Sequence, residues 1–372
     1  MKNFKRKKWA VLILAVLLSA SCTHQHQKKD AALSQNPVQS QGIDQTQDPN
    51  QSQDPNQSQN PNQPQDPNQS QSLNLFQIPS QSQSPGQSRA EEVINKALQW
   101  IMEHPASFED GGFLEMGEEA NLYYILYKGA KSAAEKEFCR DRLARIVREL
   151  RAQEDFHIQF AGEITAYLAI TKAAERLGFE TEDFHRFIKG EILNSPMTYP
   201  PNITYVILNS SLLRDLGYEP KIPLINSIEQ GVVVSMTKNS YMIPLGKSYA
   251  SDLDVTNFFY DITHEIFALS SFGDKDPDEM LMPKESKFLR EIIPEGISLY
   301  LPKKQLDILC ELIVCAKIMG YKDIAGFQET VDFICDSQEK DGAFGIIPRM
   351  KDLGRGNFYR HGVLVAVWAL AS

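Results

Sequence analysis

The sequence of 372 residues predicts an all-α domain over residues 89–372, preceded by a long polar segment. Apolar residues recur at intervals of three and four throughout that region, which is typical of helices, and the alternation typical of strands is nearly absent. Some helices are apolar on all sides, such as ITYVILNSSLLRDLG and LDILCELIVCAKIMG. Helices of that kind lie inside an assembly of helices, and one-sided helices such as EFCRDRLARIVRELRAQ cover them.

Three of the predicted helices end on related motifs, ERLGFE, RDLGYE and KIMGYK. Their glycines, Gly178, Gly217 and Gly320, are expected to end each helix in the left-handed conformation, with the next aromatic residue packed on the last turn. The first two glycines lie 39 residues apart, a period typical of helical hairpins that stack side by side. Such hairpins either continue as an open solenoid or close into a ring.

A second repeat favours the ring. DGGF at 110–113 matches DGAF at 341–344, and each motif follows a predicted helix. The second copy, with Gln338, Gly342 and Phe344, resembles the Q-x-x-x-G-x-W/F motif of terpenoid cyclases, prenyltransferases and related α/α toroids. That resemblance implies about five or six helical hairpins arranged as an α/α toroid, with a structural role for the glutamine. It implies no particular chemistry.

The region 89–372 is also similar to an uncharacterised bacterial domain family with a Thr-His-x-x-Phe signature. The signature falls on Thr263, His264 and Phe267 in YDITHEIF, and the final segment FYRHGVLVAVWALA adds to the similarity. This resemblance implies no activity.

Residues 1–22 have the pattern of an export signal. Five basic residues among the first eight precede WAVLILAVLL, an apolar run of ten that is too short to span about 30 Å of hydrocarbon. The small residues that lead to Cys22 resemble the lipobox of bacterial lipoproteins, in which the signal is cut before an acylated cysteine. Ser19 departs from the leucine usual in that family, so an ordinary cleaved signal is the alternative.

The resemblance implies lipidation of Cys22 and attachment to a bacterial membrane, which is the outer membrane if the cell is Gram-negative because Thr23 is not the aspartate retention signal. Residues 23–88 are rich in Gln, Asn, Pro and Ser, and within them QDPNQS recurs with a period of six from Gln47 to Gln65, once as QNPNQP. Gln, Asn, Pro and Ser cannot bury enough apolar area to offset the entropy of ordering, so we expect a disordered stalk.

Composition limits the partners of the domain. The chain holds 48 acidic and 38 basic residues, a net charge of −10, and has no basic stripe, so we expect no nucleic-acid partner. Four cysteines besides Cys22 fall in the domain and form no CxxC pair, which leaves disulfides and buried thiols both open.

The helix FFYDITHEIF combines an apolar stripe with a polar cluster. Asp261, His264 and Glu265 lie at i, i+3 and i+4, which predicts one shared face, with Thr263 pointing elsewhere. In closed toroids the inner helices direct one set of ends into a funnel, where a carboxylate–imidazole pair can act as a general base. Asp261 and His264 are therefore the candidate catalytic residues. The alternative is that the cluster only caps the helix through hydrogen bonds.

The terminal helix repeats part of this pattern, since FYRH places two aromatic residues before His361 much as they stand before His264. If both helices are inner and parallel, the two histidines enter the same cavity. The candidate ligand-binding residues are Asp254, Asn257, Tyr260, Tyr359, Arg360 and His361.

No metal site is predicted from the sequence, and the cofactor is unspecified. Prenyltransferases hold zinc with Asp, Cys and His, yet this chain has no HxxxH, HExxH or CxxC spacing, and Cys310 and Cys315 lie within a helix. The D-x-D-D motif of squalene-type cyclases is also absent.

These observations predict a membrane-anchored extracytoplasmic lipoprotein whose toroid funnel binds a small molecule or a protein. The alternative is an enzyme of the cyclase/transferase or glycan-cleaving type that uses Asp261 and His264. Trp100 and Trp368 both fall on apolar helix faces, which disfavours a groove for stacking sugars. The sequence alone leaves both classes open.

Overall fold

The computed structural model describes residues 85–108, 112–153, 156–239, 252–321, 323–344 and 356–371. Within these ranges the chain forms 13 α-helices and no strand, which confirms the predicted all-α class. None of the described helices is both long and apolar enough to cross a membrane. The predicted signal, Cys22 and nearly all of the predicted stalk lie outside the described residues.

The helices are numbered here in chain order. Their bounds are α1 Pro85–Glu103, α2 Phe113–Gly129, α3 Ala133–Arg151, α4 Ala161–Arg176, α5 Glu182–Phe187, α6 Ile203–Asp215, α7 Leu224–Ile228, α8 Val232–Asn239, α9 Asp252–Leu269, α10 Pro283–Tyr300, α11 Leu306–Ile318, α12 Phe327–Asp336 and α13 Gly356–Ala371.

Six of these helices form a closed cycle of contacts. Helices α2, α4, α6, α9, α11 and α13 each pack on the next, and α13 packs in turn on α2. They are also the helices buried on most sides, whereas α3, α10 and α12 pack against them with one face. This cyclic order of inner and outer helices fits the α/α toroid expected from the sequence.

Neighbouring inner helices run parallel. Thr204 of α6 donates to Asp261 of α9, and Ser211, two turns further along α6, donates to the carbonyl of Ala268, so the partners advance together. The other pairs with the same order are Thr165–Asn209 and Lys172–Asp215, Tyr260–Asp307 and Thr263–Glu311, and Asp307–His361 and Lys317–Ala369.

The predicted glycine helix ends are confirmed. Gly178, Gly217 and Gly320 have φ values of 80°, 79° and 73°, in the left-handed region. The amide of each following aromatic residue bonds back to a carbonyl five positions earlier, as in Phe179 to Ala174. This closes the last turn of α4, α6 and α11 in the Schellman arrangement.

The second glycine motif has a structural role, as the toroid resemblance implied. Gln338 donates through Nε2 to the carbonyl oxygen of Val93 on α1 at 2.8 Å and to that of Gly342 at 3.2 Å. A side chain at Gly342 would lie 2.4 Å from the carbonyl oxygen of Lys96, so only glycine fits against α1 there. The motif therefore fastens α1 to the turn after α12.

A buried lysine joins the C-terminal ends of three inner helices. Lys172 of α4 is 2% exposed, and its Nζ lies 2.7 Å from Ser271 Oγ, 2.8 Å from the Ser271 carbonyl, 3.0 Å from Asp274 and 3.1 Å from Asp215. Burial alone would raise the pKa of each aspartate, but the lysine charges outweigh it and hold both pKa values below the ordinary range. We name Lys172, Asp215, Ser271 and Asp274 the lysine clamp.

Replacement of Lys172 by methionine should destabilise the protein by about 3–5 kcal/mol, because two carboxylates would lose their buried counter-charge. Lys275 provides the control, since it pairs with the same Asp215 but is 50% exposed, and Lys275→Met should cost no more than about 1 kcal/mol. Urea unfolding followed by far-UV circular dichroism measures both values. Equal losses in the two variants would show that burial of the clamp does not matter.

Candidate functional site

A group of ionisable side chains lies where α2, α9, α11 and α13 meet. We name it the carboxylate–histidine cluster, and its members are Glu118 on α2, His264 on α9, Asp307 and Glu311 on α11, and His361 on α13. It combines three carboxyl groups and two imidazoles, and it shares no residue with the lysine clamp.

Helix α11 supplies the acidic core of the cluster. Its sequence, LDILCELIVCAKI, is apolar except for Asp307, Glu311 and Lys317. Asp307 and Glu311 are one turn apart, so both project from the same side of the helix. The side chain of Glu311 is 2% exposed and that of Asp307 is 18% exposed, which places the first deeper in the ring than the second.

His361 lies among three carboxylates. Its Nδ1 is 2.9 Å from Glu118 Oε2, and its Nε2 is 3.2 Å from Asp307 Oδ1 and 3.9 Å from Glu311 Oε1. The side chain is 32% exposed, so the cluster is open to solvent on one side. The imidazole thereby connects α13 to α2 and to α11.

Two hydroxyl groups of α9 donate hydrogen bonds to the acids on α11, each to the carboxylate oxygen that faces away from His361. The Tyr260 hydroxyl donates to Asp307 Oδ2, and the Thr263 hydroxyl donates to Glu311 Oε2. Both carboxylates are thereby fixed with Oδ1 of Asp307 and Oε1 of Glu311 turned toward His361.

His264 approaches Glu311 from the other direction. Its Nδ1 lies 2.7 Å from the carbonyl oxygen of Tyr260 and 3.8 Å from Glu311 Oε2. Since Nδ1 donates to that carbonyl, Nε2 is the ring nitrogen that can meet a ligand. Both histidines singled out in the sequence thus lie within 4 Å of one carboxylate.

Burial and neighbouring charges shift the pKa values of the cluster residues in different directions. Burial alone would lower the pKa of His361, but the charges of Glu118 and Asp307 outweigh it and raise that pKa well above the ordinary value. Burial would raise the pKa of Asp307, yet His361 and the Tyr260 hydroxyl hold it low. Burial raises the pKa of Glu311, where it prevails over the nearby imidazoles. His361 is therefore an imidazolium beside an ionised Asp307.

The residues predicted to share one face of α9, Asp261, His264 and Glu265, bond to different neighbouring helices. Asp261 accepts a hydrogen bond from Thr204 of α6 at 2.7 Å, and Glu265 accepts from backbone amides at the start of α8. Thr263, expected to point elsewhere, bonds Glu311 beside His264. An inner helix touches neighbours on several sides, and residues at i, i+3 and i+4 span about 100° of its circumference, so they meet different partners.

The remaining predicted residues have different positions. Tyr260 belongs to the cluster's surroundings, whereas Arg360 is buried and donates through Nε to the His104 carbonyl at the end of α1. Asn257 is half-buried on α9. The side chains of Asp254 and Tyr359 lie outside the described residues.

Sequence reasoning missed three cluster residues, Glu118, Asp307 and Glu311. The two acids of α11 carried a signal, because acids one turn apart in an otherwise apolar inner helix must be buried together. Glu118 carried none, since it stands among other acids in FLEMGEEANLYY.

A donor set for a metal ion is present, although the sequence predicted none. One donor atom each from Asp307, Glu311 and His361 lies within 4.8 Å of the other two. The four described cysteines take no part, since all are buried free thiols: Cys139, Cys310, Cys315 and Cys335.

Residues 249–354 match the model of a family described as a domain of unknown function, DUF6895. The match spans α9 to α12 and so contains His264, Asp307 and Glu311, while Glu118 and His361 fall outside it. No curated protein and no solved structure matches the chain, so the similarity to terpenoid cyclases and prenyltransferases rests on the glycine motif alone.

Replacement of Glu118 by glutamine should lower the pKa of His361, because the variant keeps a hydrogen-bonding side chain but removes one negative charge at 2.9 Å. Titration of the histidine side chains by NMR in the presence of EDTA measures this pKa. Glu92→Gln is the control, since Glu92 pairs with Lys96 on the exposed side of α1. A His361 pKa that is equal in Glu118→Gln and in the unaltered chain would contradict the assigned contact.

Proposed function

We propose that this protein is an exported, lipid-anchored binding protein that takes a positively charged ligand at the carboxylate–histidine cluster. The observation that carries the proposal is the convergence of three carboxylates on a partly exposed place between the inner helices α2, α11 and α13. The protein's net charge of −10 adds a long-range attraction for cations.

Energetics favour a ligand over a purely structural role. Buried ionic groups cost several kcal/mol in desolvation, and an apolar packing of the same space is often at least as stable. A unit positive charge about 4 Å from a carboxylate gains about 4 kcal/mol at an effective dielectric constant of about 20. Three carboxylates with one imidazolium retain net negative charge when Glu311 is ionised, so a cation gains most from entering.

The support for the location is in the sequence. A basic segment, an apolar run of ten residues and small residues before Cys22 are the parts of a lipoprotein signal. The Gln/Pro/Asn-rich stretch that follows has the composition of a stalk, which would hold the binding domain away from the lipid surface.

A second candidate function is acid–base catalysis, and the Glu118–His361 pair is the observation that favours it. A carboxylate that fixes one imidazole nitrogen leaves the other to transfer a proton, which is the arrangement of many general acids and bases. This shifts the proposed enzymatic role from Asp261 and His264 to His361. Glycan cleavage is the less favoured chemistry, because Trp368 packs on Phe267 and Phe272 in the core.

Thermal unfolding of the full chain in detergent tests the binding proposal, with spermidine and Zn²⁺ as cations and sulfate as the anion. A cation at about 100 times its Kd should add about 2.7 kcal/mol of stability, which amounts to several degrees in Tm. The rise should shrink in Glu118→Gln and persist in Glu92→Gln. If neither cation raises Tm, or if the rise persists in Glu118→Gln, the cluster is not a cation site.

The anchor is tested separately. In a bacterial host that processes lipoproteins, the unaltered chain should partition into the detergent phase of Triton X-114, because two or more acyl chains bind membranes firmly. Cys22→Ala should move the cleaved protein to the aqueous phase, whereas Cys139→Ala, at a buried thiol, should not. A Cys22→Ala protein that stays with the membrane after signal cleavage would rule out the lipid anchor.

A further inference from the structure

We infer that the ligand of the carboxylate–histidine cluster is a divalent metal ion held by Asp307, Glu311 and His361. The inference rests on the proposed function and narrows it from a cation to a metal centre. Its support comes from the convergence of donor atoms, from the hydrogen-bond partners of the donor groups and from one buried oxygen that has an ion pair but no hydrogen bond.

The donor atoms are spaced for a small ion. Nε2 of His361 lies 3.2 Å from Asp307 Oδ1 and 3.9 Å from Glu311 Oε1. A tetrahedral zinc ion with bonds of about 2.0–2.1 Å needs its donors about 3.4 Å apart, which falls between these two distances. The third separation is at most 4.8 Å, so a modest inward turn of a carboxylate completes the set.

Each of the three donor groups also forms a hydrogen bond through the polar atom that faces away from the proposed ion. Nδ1 of His361 is bonded to Glu118, Oδ2 of Asp307 accepts from Tyr260, and Oε2 of Glu311 accepts from Thr263. Hydrogen-bonded partners of this kind orient the ligands of metal sites, and a carboxylate behind a histidine makes it a stronger ligand. Since these partners come from α2 and α9, two further helices of the ring fix the donor set on α11 and α13.

One of the three inward atoms lacks a hydrogen bond. Asp307 Oδ1 is shielded from solvent and has no hydrogen-bond partner within the described part of the chain. Its contact with His361 Nε2 at 3.2 Å is an ion pair without hydrogen-bond geometry. The charge of His361 offsets part of the cost of burying this oxygen, and a metal–oxygen bond would take the place of that ion pair.

The chemistry of the donors selects the class of metal. One imidazole nitrogen and two carboxylate oxygens suit borderline ions such as Zn²⁺, Fe²⁺ and Mn²⁺, whereas Ca²⁺ takes six to eight oxygens. Three protein ligands with one side open to solvent leave a position for water or a substrate. A bound ion would take the place of the proton on His361 Nε2, because a ligating imidazole is neutral.

The alternative is that His361 only forms ion pairs with the carboxylates. The full chain is purified in detergent and dialysed first against EDTA and then against buffer. Calorimetric titration of this protein with Zn²⁺ distinguishes a metal site from ion pairs alone. We expect one tight site per chain, and Co²⁺ in its place should give the visible absorption of a low-coordinate ion. Asp307→Asn, Glu311→Gln and His361→Gln should each weaken zinc binding by more than about 100-fold, beyond the range for residues behind the ligands.

Two controls make the comparison specific. Glu118→Gln should weaken binding by about 10–100-fold, while Asp261→Asn, which keeps an acceptor for Thr204 on another face of α9, should change it less than twofold. His24 and His26 offer a separate zinc-binding place near the N-terminus, so every variant is also made in a His24→Gln/His26→Gln background. Far-UV circular dichroism establishes that each variant is folded.

Zinc binding that disappears with the three donors supports the inference. Absence of a tight site, or binding that is equal in folded Asp307→Asn, Glu311→Gln and His361→Gln, overturns it. If zinc does not bind, but spermidine raises the Tm of the unaltered chain and not that of Glu118→Gln, the metal centre is wrong and the cation-binding function stands. If both fail, both proposals fall.

Discussion

The contact of α13 with α2 is the constraint on which the rest of the described structure depends. Helix α13 packs on α11 at one side and on α2 at the other, which completes the cycle of six inner helices. Without it, α2 and α11 would expose apolar faces at the two ends of an open arc. The same contact brings His361 to Glu118, 243 positions earlier in the chain, so the cluster exists only in the closed ring.

Two of the groups of buried charges in this ring differ in how completely their polar atoms are bonded. In the lysine clamp, Nζ of Lys172 has four oxygen partners within 3.1 Å and is shut off from solvent. In the carboxylate–histidine cluster, one oxygen of Asp307 has no hydrogen bond within the described residues, and His361 is partly exposed. A saturated, enclosed network is typical of a structural role, and the incomplete, accessible one is the reason for proposing the cluster as the binding site.

Sequence periodicity was sufficient for the helices and their ends, because spacing and glycine caps are local properties, as at Gly178 and Gly217. The sequence pattern also indicated that His264 and His361 lie on helices of the same kind, both of them inner helices of the ring. It was insufficient for Asp261, because the neighbour that each side of α9 meets is set by the packing of the whole ring. The acids of α11 carried a local signal that was overlooked, but their pairing with His361, 54 and 50 positions later, depends on that same packing.

The closure of the ring has a consequence for how the protein reaches this state. The contacts that close it join residues 243 to 256 positions apart, such as Arg360 with His104. Contacts this distant in sequence carry a large loop entropy and form late, which makes folding slow compared with a bundle of local hairpins. Until α13 packs on α2 and α11, the apolar faces that it covers stay exposed, and exposed apolar surface of this kind promotes aggregation during folding.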